Sequence, residues 1–113
     1  MTQDTVQQIE LNISQAKEIL NLGQALSRLE DNRDFRKLIK QGYLEQEAIR
    51  LVHLKADPSY QTPERQASID KDIAAIGGLL QFFRTVAHNA AIAVKSIEAD
   101  EAEREYILAE ETR

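Results

Sequence analysis

Between residues 69 and 97 the apolar side chains leave almost no freedom in what this chain can fold into. Ile69, Ile73, Ile76, Leu80, Phe83, Ala87, Ala90, Val94 and Ile97 follow one another in alternating steps of four and three residues without a miss. Strands alternate every two residues, so a run of this kind predicts a helix, and its 3.5-residue average predicts a supercoiled seam. The start is well marked. Thr62 is a candidate N-cap, Pro63 fits the first helical position, and Glu64 falls in the first turn. Unbroken from residue 63 to 108, this helix would be about 70 Å long at ~1.5 Å per residue. A second apolar stripe, Ala75, Leu79, Phe82, Val86 and Ala93, lies beside the first. One of the two faces is expected to pack within the chain and the other to be available to a second chain, the alternative being one compact bundle that uses both. Gly77 and Gly78 interrupt the side chains but not the period, which predicts a close helix crossing or a mild kink rather than a turn.

Upstream, three further helices are expected, at about 5–32, 33–41 and 44–55, with no strand. In the first, Val6, Ile9, Ile13, Ala16 and Leu20 form a 3-4 stripe. Ile19, Leu22, Leu26 and Leu29 are expected to continue it after a stutter. Thr2 or Asp4 is a candidate cap. Gly23 weakens this helix by about 1 kcal/mol relative to alanine, unless its missing side chain admits another helix. Asn32 is placed to cap the second helix, whose inner face is expected to be Phe35, Leu38 and Ile39. Gly42 fits the position just past its end. The third helix is expected to turn Leu44, Ala48, Leu51, Val52 and Leu54 inward, and Asp57-Pro58 to stop it. Tyr43, Phe35 and Leu51 are assigned to the core. The expected fold is therefore all-α, a single domain over 1–113 built as an elongated helical hairpin or bundle with a long C-terminal heptad-patterned helix.

Composition narrows function mainly by exclusion. The chain has 113 residues and no cysteine, which excludes disulfides, thiol nucleophiles, zinc fingers and iron–sulfur ligation. No apolar run reaches the ~18–20 residues of a membrane span, and no basic-then-apolar leader opens the chain. Those two absences predict a cytoplasmic or virion location. Seven acids and two arginines between 98 and 113 account for the whole net charge of -5, because residues 1–97 hold twelve acids and twelve bases. A neutral body provides no electrostatic basis for holding nucleic acid. The acidic end is either a solvated helix terminus or a contact for a basic partner.

Catalytic chemistry finds little to work with. The two histidines, His53 and His88, belong to no metal-binding spacing. His53 is read as a packing or capping residue and His88 as an inter-helix polar contact. Gly77-Gly78 is not a phosphate loop, and pairs such as Glu45/Glu47 and Asp70/Asp72 sit two apart on different helix faces. No catalytic residue, no metal ligand and no cofactor is assigned, and the chain is not expected to be an enzyme. Arg28, Arg33, Arg36, Lys37 and Lys40 form the only basic stretch, interleaved with Glu30, Asp31 and Asp34, and are expected to be solvated and self-paired. A helix-turn-helix across Gly42-Tyr43 is disfavoured, because LEQEAIR would put acids where base-reading residues belong.

The block NRDFRKLIKQGYLEQEAIRLVHLKADPS, followed by DIAAIGGLLQFFRTV, resembles small helical proteins encoded by tailed bacteriophages. The likeness covers residues 26–86 and carries no catalytic motif. It implies a phage origin and a role in building, stabilising or filling the virion. Together with the heptads, it leads to the expectation of a non-enzymatic assembly protein that self-associates through long helices. Its partners would be further copies of itself or other virion proteins. Ile73, Ile76, Leu80, Phe83, Ala87 and Val94 are the expected interface. The competing expectation is a helical binding module or inhibitor that uses its acidic C-terminal end.

Overall fold

The computed structural model describes residues 2–112. Among them the chain is all-α and strand-free: α1 (Thr2–Glu30), α2 (Arg33–Phe35), a π-helix (Arg36–Glu47), α3 (Ala48–Ala56), a 3₁₀ turn (Pro58–Tyr60) and α4 (Pro63–Glu111). The contacts divide these elements into two compact units, one made of Met1–Leu26 with Thr85–Arg113, the other of Ser27–Arg84.

Asn32 and Thr62 cap their helices as expected, whereas Thr2 and Asp4 lie inside α1 rather than ahead of it. Asn32 Oδ1 accepts the Phe35 N–H at 2.9 Å, and Thr62 Oγ1 accepts that of Arg65 at 3.3 Å. Asp57 leaves helical torsions at φ -68 and ψ 128 ahead of Pro58, and its side chain accepts the Ser59 N–H. Asp4 lies in the first turn of α1, where a negative charge meets the positive end of the helix dipole.

Gly42 does not end a helix. Residues 33–56 are helical throughout, with Gly42 in the middle of the π-helix and no glycine at positive φ. The expected helices at 33–41 and 44–55 are thus joined, and no turn exists for a helix-turn-helix. The physical reason lies in the apolar spacing. Phe35, Ile39, Tyr43 with Leu44, and Ala48 recur at steps of four and five residues, too wide for 3.6 residues per turn. Winding with i→i+5 bonds keeps them on one face, and all five are half-buried. Leu38 falls off that face and is exposed, as is Val52, which corrects their assignment to the interior.

In the second unit, Leu51, Ile69 and Ile76 form the buried cluster, with Tyr43, Leu44, Ala48, Leu54, Tyr60 and Ile73 packed against it. Phe35 meets Phe83 edge-on, with ring centroids 5.8 Å apart. The segment joining α3 to α4 is tied down by amide side chains. Gln61 Nε2 donates to the carbonyls of Lys55 and Asp57, and Gln66 Nε2 to those of Lys55 and Tyr60, at 2.7–3.0 Å. The two bonds to Lys55 satisfy a carbonyl that the end of α3 leaves without a helical partner. Arg65 stacks over the Tyr60 ring, 5.1 Å from its centroid, and Lys55 pairs with Asp70.

In the first unit, α1 and α4 run antiparallel. Ile9, Ile13 and Ala16 of α1 bury against Ala93 and Ile97 of α4, with Leu20 and Ile107 alongside. Farther along, Gly23 faces Ala90. A Cβ built at Gly23 would overlap the Ala90 methyl group, so the glycine is what permits the approach. The α1 stripe continues from Leu20 through Gly23 instead of stuttering. Of the predicted continuation only Leu26 is buried, while Ile19, Leu22 and Leu29 are exposed.

Helix α4 is unbroken across Gly77-Gly78, and nothing lies within 4 Å of a Cβ built on either. The expected close crossing there is absent. The buried stripe also shifts along α4. It runs through Ile69, Ile73, Ile76 and Phe83 as predicted, then takes Val86 and Ala93 in place of Ala87 and Val94. A straight helix drifts by ~20° per heptad relative to a strict seven-residue repeat, so a long stripe migrates onto its neighbouring flank.

Candidate interaction surface

The expected interface set separates into two groups. Ile76 is buried in the cluster of the second unit and Ile73 packs against it. Phe83 is half-buried on Phe35, and Leu80 is half-buried. Ile73, Ile76 and Phe83 thus have packing partners within the chain itself. Ala87 and Val94 are exposed, on the side of α4 that the drifting stripe leaves.

The face that the first unit leaves uncovered is a different one. Residues three and four apart share a helix face. On α1, Thr5, Gln8, Asn12, Gln15, Ile19 and Leu22 make one such face; on α4, Thr85, Asn89, Ile92, Ser96 and Ala99 make another. All are exposed, and none carries a charge, in a chain that is 29% charged. The two faces adjoin. Ala16, Ile19, Asn89, Ile92, Ala93 and Ser96 line one groove of about 180 Å³ between the helices. Ile19 is 44% exposed, Leu22 54% and Ile92 53%, so large aliphatic side chains rim a floor of small ones. Gln8 donates to Asn12 along α1 at 3.0 Å. The signal for this face is present in the sequence as the 19-22-26-29 stripe, which apolar character alone assigns to the interior.

The opposite flank of the same helix pair has the reverse character. Glu10, Ser14, Lys17, Glu18, Asn21 and Arg104 surround a shallow depression there, and Lys17 reaches Glu101 at 4.0 Å. The two-helix unit therefore has one charged flank and one whose groove is lined without charge, with His88 and Lys95 exposed at its margin on α4.

Elsewhere the chemistry is superficial. Among the described residues no polar or charged side chain is buried, and no three His, Cys, Asp or Glu are grouped to hold a metal ion. An open cleft of about 320 Å³ in the second unit is lined by Tyr43, Glu47, Arg50, Leu51, Asp72, Ala75 and Ile76. Arg50 and Glu47 already engage each other there. Arg50 Nε donates to Glu47 Oε1 at 2.7 Å, and this hydrogen bond, with the Glu47 charge, raises the guanidinium above its ordinary pKa. His53 and His88 are both exposed. His53 occupies the last turn of α3, where a positive charge suits the helix dipole, but it does not pack, and His88 makes no buried contact between helices. In the basic stretch, Lys40 pairs with Glu30 at 3.0 Å, while Arg28, Arg33, Arg36 and Lys37 lie exposed. The acidic end is helical to Glu111. Among the described residues no helix is long and apolar enough to cross a membrane.

No protein-family model, curated protein or solved structure matches the chain.

Proposed function

We propose that this chain is a non-enzymatic assembly protein whose long helices pair with other chains, and that it serves as a component of a bacteriophage virion. One observation carries the assembly reading: an uncharged, partly aliphatic flank is left open along both helices of the first unit. A helix pair buries only one seam by itself, and open apolar faces of this kind mark association surfaces. The virion assignment rests on the resemblance of residues 26–86 to small phage helical proteins. Particles purified from the native source should contain the chain at a fixed stoichiometry through a density gradient. A chain that stays with the unassembled soluble fraction would remove the virion role.

The acidic end supports a second reading, a binding module that holds a basic partner. Glu103, Glu105, Glu110 and Glu111 are exposed on a continuous helix, which presents them as an ordered surface. Truncation after residue 97 should abolish partner binding under that reading, and unchanged binding by the truncated chain would exclude it.

A further inference from the structure

We propose that the uncharged flank of the first unit is covered by the same flank of a second copy, related by a two-fold axis, to form an antiparallel four-helix bundle. This inference rests on the assembly reading and names its surface and its occupant.

Three features favour a second copy over a different partner. The first is charge. The first unit carries ten acids and four bases, a balance of -6. Two such units would repel each other across nearly any face, but the residues that line the groove between Ile19 and Ile92 hold no ionisable group, His88 and Lys95 lying at its margin on α4. Like-charge contacts are costly in interfaces, so this flank is where two copies can meet without them. A partner recruited by charge would instead use the acidic flanks.

The second is shape. A two-fold interface must be self-complementary, with each patch supplying both the projection and the recess that receives it. Ile19 and Ile92 project beside a recess floored by Ala16, Ala93 and Ser96. Its 180 Å³ is enough to admit one isoleucine side chain from a facing copy.

The third is size. From residue 5 to 26 each helix is about 32 Å long at ~1.5 Å per residue. Two helices 8–10 Å apart, with their side chains, present a width of roughly 20 Å. The resulting face of about 600 Å² in projection is comparable to the ~800 Å² of accessible surface that each partner contributes to a standard interface. Asn12 and Asn89 lie within it, polar groups that fix register in helix bundles at some cost in affinity.

The test is the solution mass of the full chain by sedimentation equilibrium, for the parent, Ile19→Asp, Ile92→Asp and Val94→Asp. Val94 is also exposed but lies off the flank. The expected result is a dimer for the parent and for Val94→Asp. The two flank variants should associate at least about 100-fold more weakly, because a buried unpaired carboxylate is strongly disfavoured. Circular dichroism checks that helicity is kept, and Ile92→Gln gives a milder variant with the same expected direction. A parent dimer that all the flank variants leave intact would overturn this surface while leaving the assembly reading standing. A monomeric parent at high micromolar concentration would overturn the dimer, and the particle-association experiment would then decide the assembly reading alone.

Discussion

At Gly23 two helices come so close that not even a methyl group fits between them, whereas at Gly77 and Gly78 the space around the missing side chains is open. The contrast extends to the two units as wholes. The first joins α1 to α4 through small residues, Ala16, Gly23, Ala90 and Ala93, with isoleucines between them. The second fills the space between its helices with Tyr43, Leu44, Leu51, Leu54, Tyr60 and the Phe35–Phe83 pair. Small residues allow backbones to approach but remove little apolar area from water per residue. Large ones remove more and keep the helices apart. A pair of helices joined by a narrow seam has flanks left over, and this is where the uncharged surface lies.

The largest effect should come from the second unit. Leu51 is its most deeply buried side chain, 2% exposed. Leu51→Ala should cost about 2–5 kcal/mol, through lost transfer free energy and the cavity left behind. Urea denaturation gives the value. A loss under about 1 kcal/mol, well below the range for buried leucines, would show that the cluster collapses around the gap and that its large side chains are loosely held.

Next comes a substitution that should have opposite signs at two places. Gly23→Ala puts a methyl group into Ala90, and forced overpacking of this kind costs about 1–3 kcal/mol. Ala90→Gly in the same chain should recover part of that loss, with a coupling measured by the double-mutant cycle. Gly77→Ala and Gly78→Ala meet nothing and sit inside a regular helix. Each should add about 1 kcal/mol of stability, the difference in helix propensity. Urea denaturation of all five variants, the Ala90→Gly single variant included, checks the contrast. If Gly23→Ala were also stabilising, the two helices would not be in the close contact described.

How much of this is legible in the residues depends on the kind of signal. Caps and stops are local and readable: Asn32, Thr62-Pro63 and Asp57-Pro58 act through bonds to their own neighbours. The all-α class follows from periodicity. The interior is harder to assign wherever two stripes compete. Ile19, Leu22 and Leu29 form as good a stripe as Leu20 and Gly23 when apolar character alone is weighed, because glycine counts as no side chain at all. Its value appears only when Ala90 is placed opposite. The same limit hides the exchange of Ala87 and Val94 for Val86 and Ala93, since adjacent heptad flanks differ only by which neighbour they meet. The π-helix is encoded in the four- and five-residue steps from Phe35 to Ala48, yet Gly42 offers a simpler stop signal within the same stretch.

The smallest effects concern the ion pairs, and they separate the units in a last way. Lys40–Glu30 in the second unit is 3.0 Å long, with side chains 41% and 38% exposed. Lys17–Glu101 in the first is 4.0 Å long and more open. Exposed pairs contribute between nothing and about 1 kcal/mol, and salt screens them. Lys40→Ala should therefore cost a few tenths of a kcal/mol more than Lys17→Ala, with the difference shrinking as ionic strength rises toward ~1 M. Thermal melts of both variants at low and high salt test this order. Equal, salt-independent losses would mean that the lysine stems, packed along the helices, matter more than their charges. The charged flank of the first unit would then hold α1 to α4 by contact area rather than by attraction.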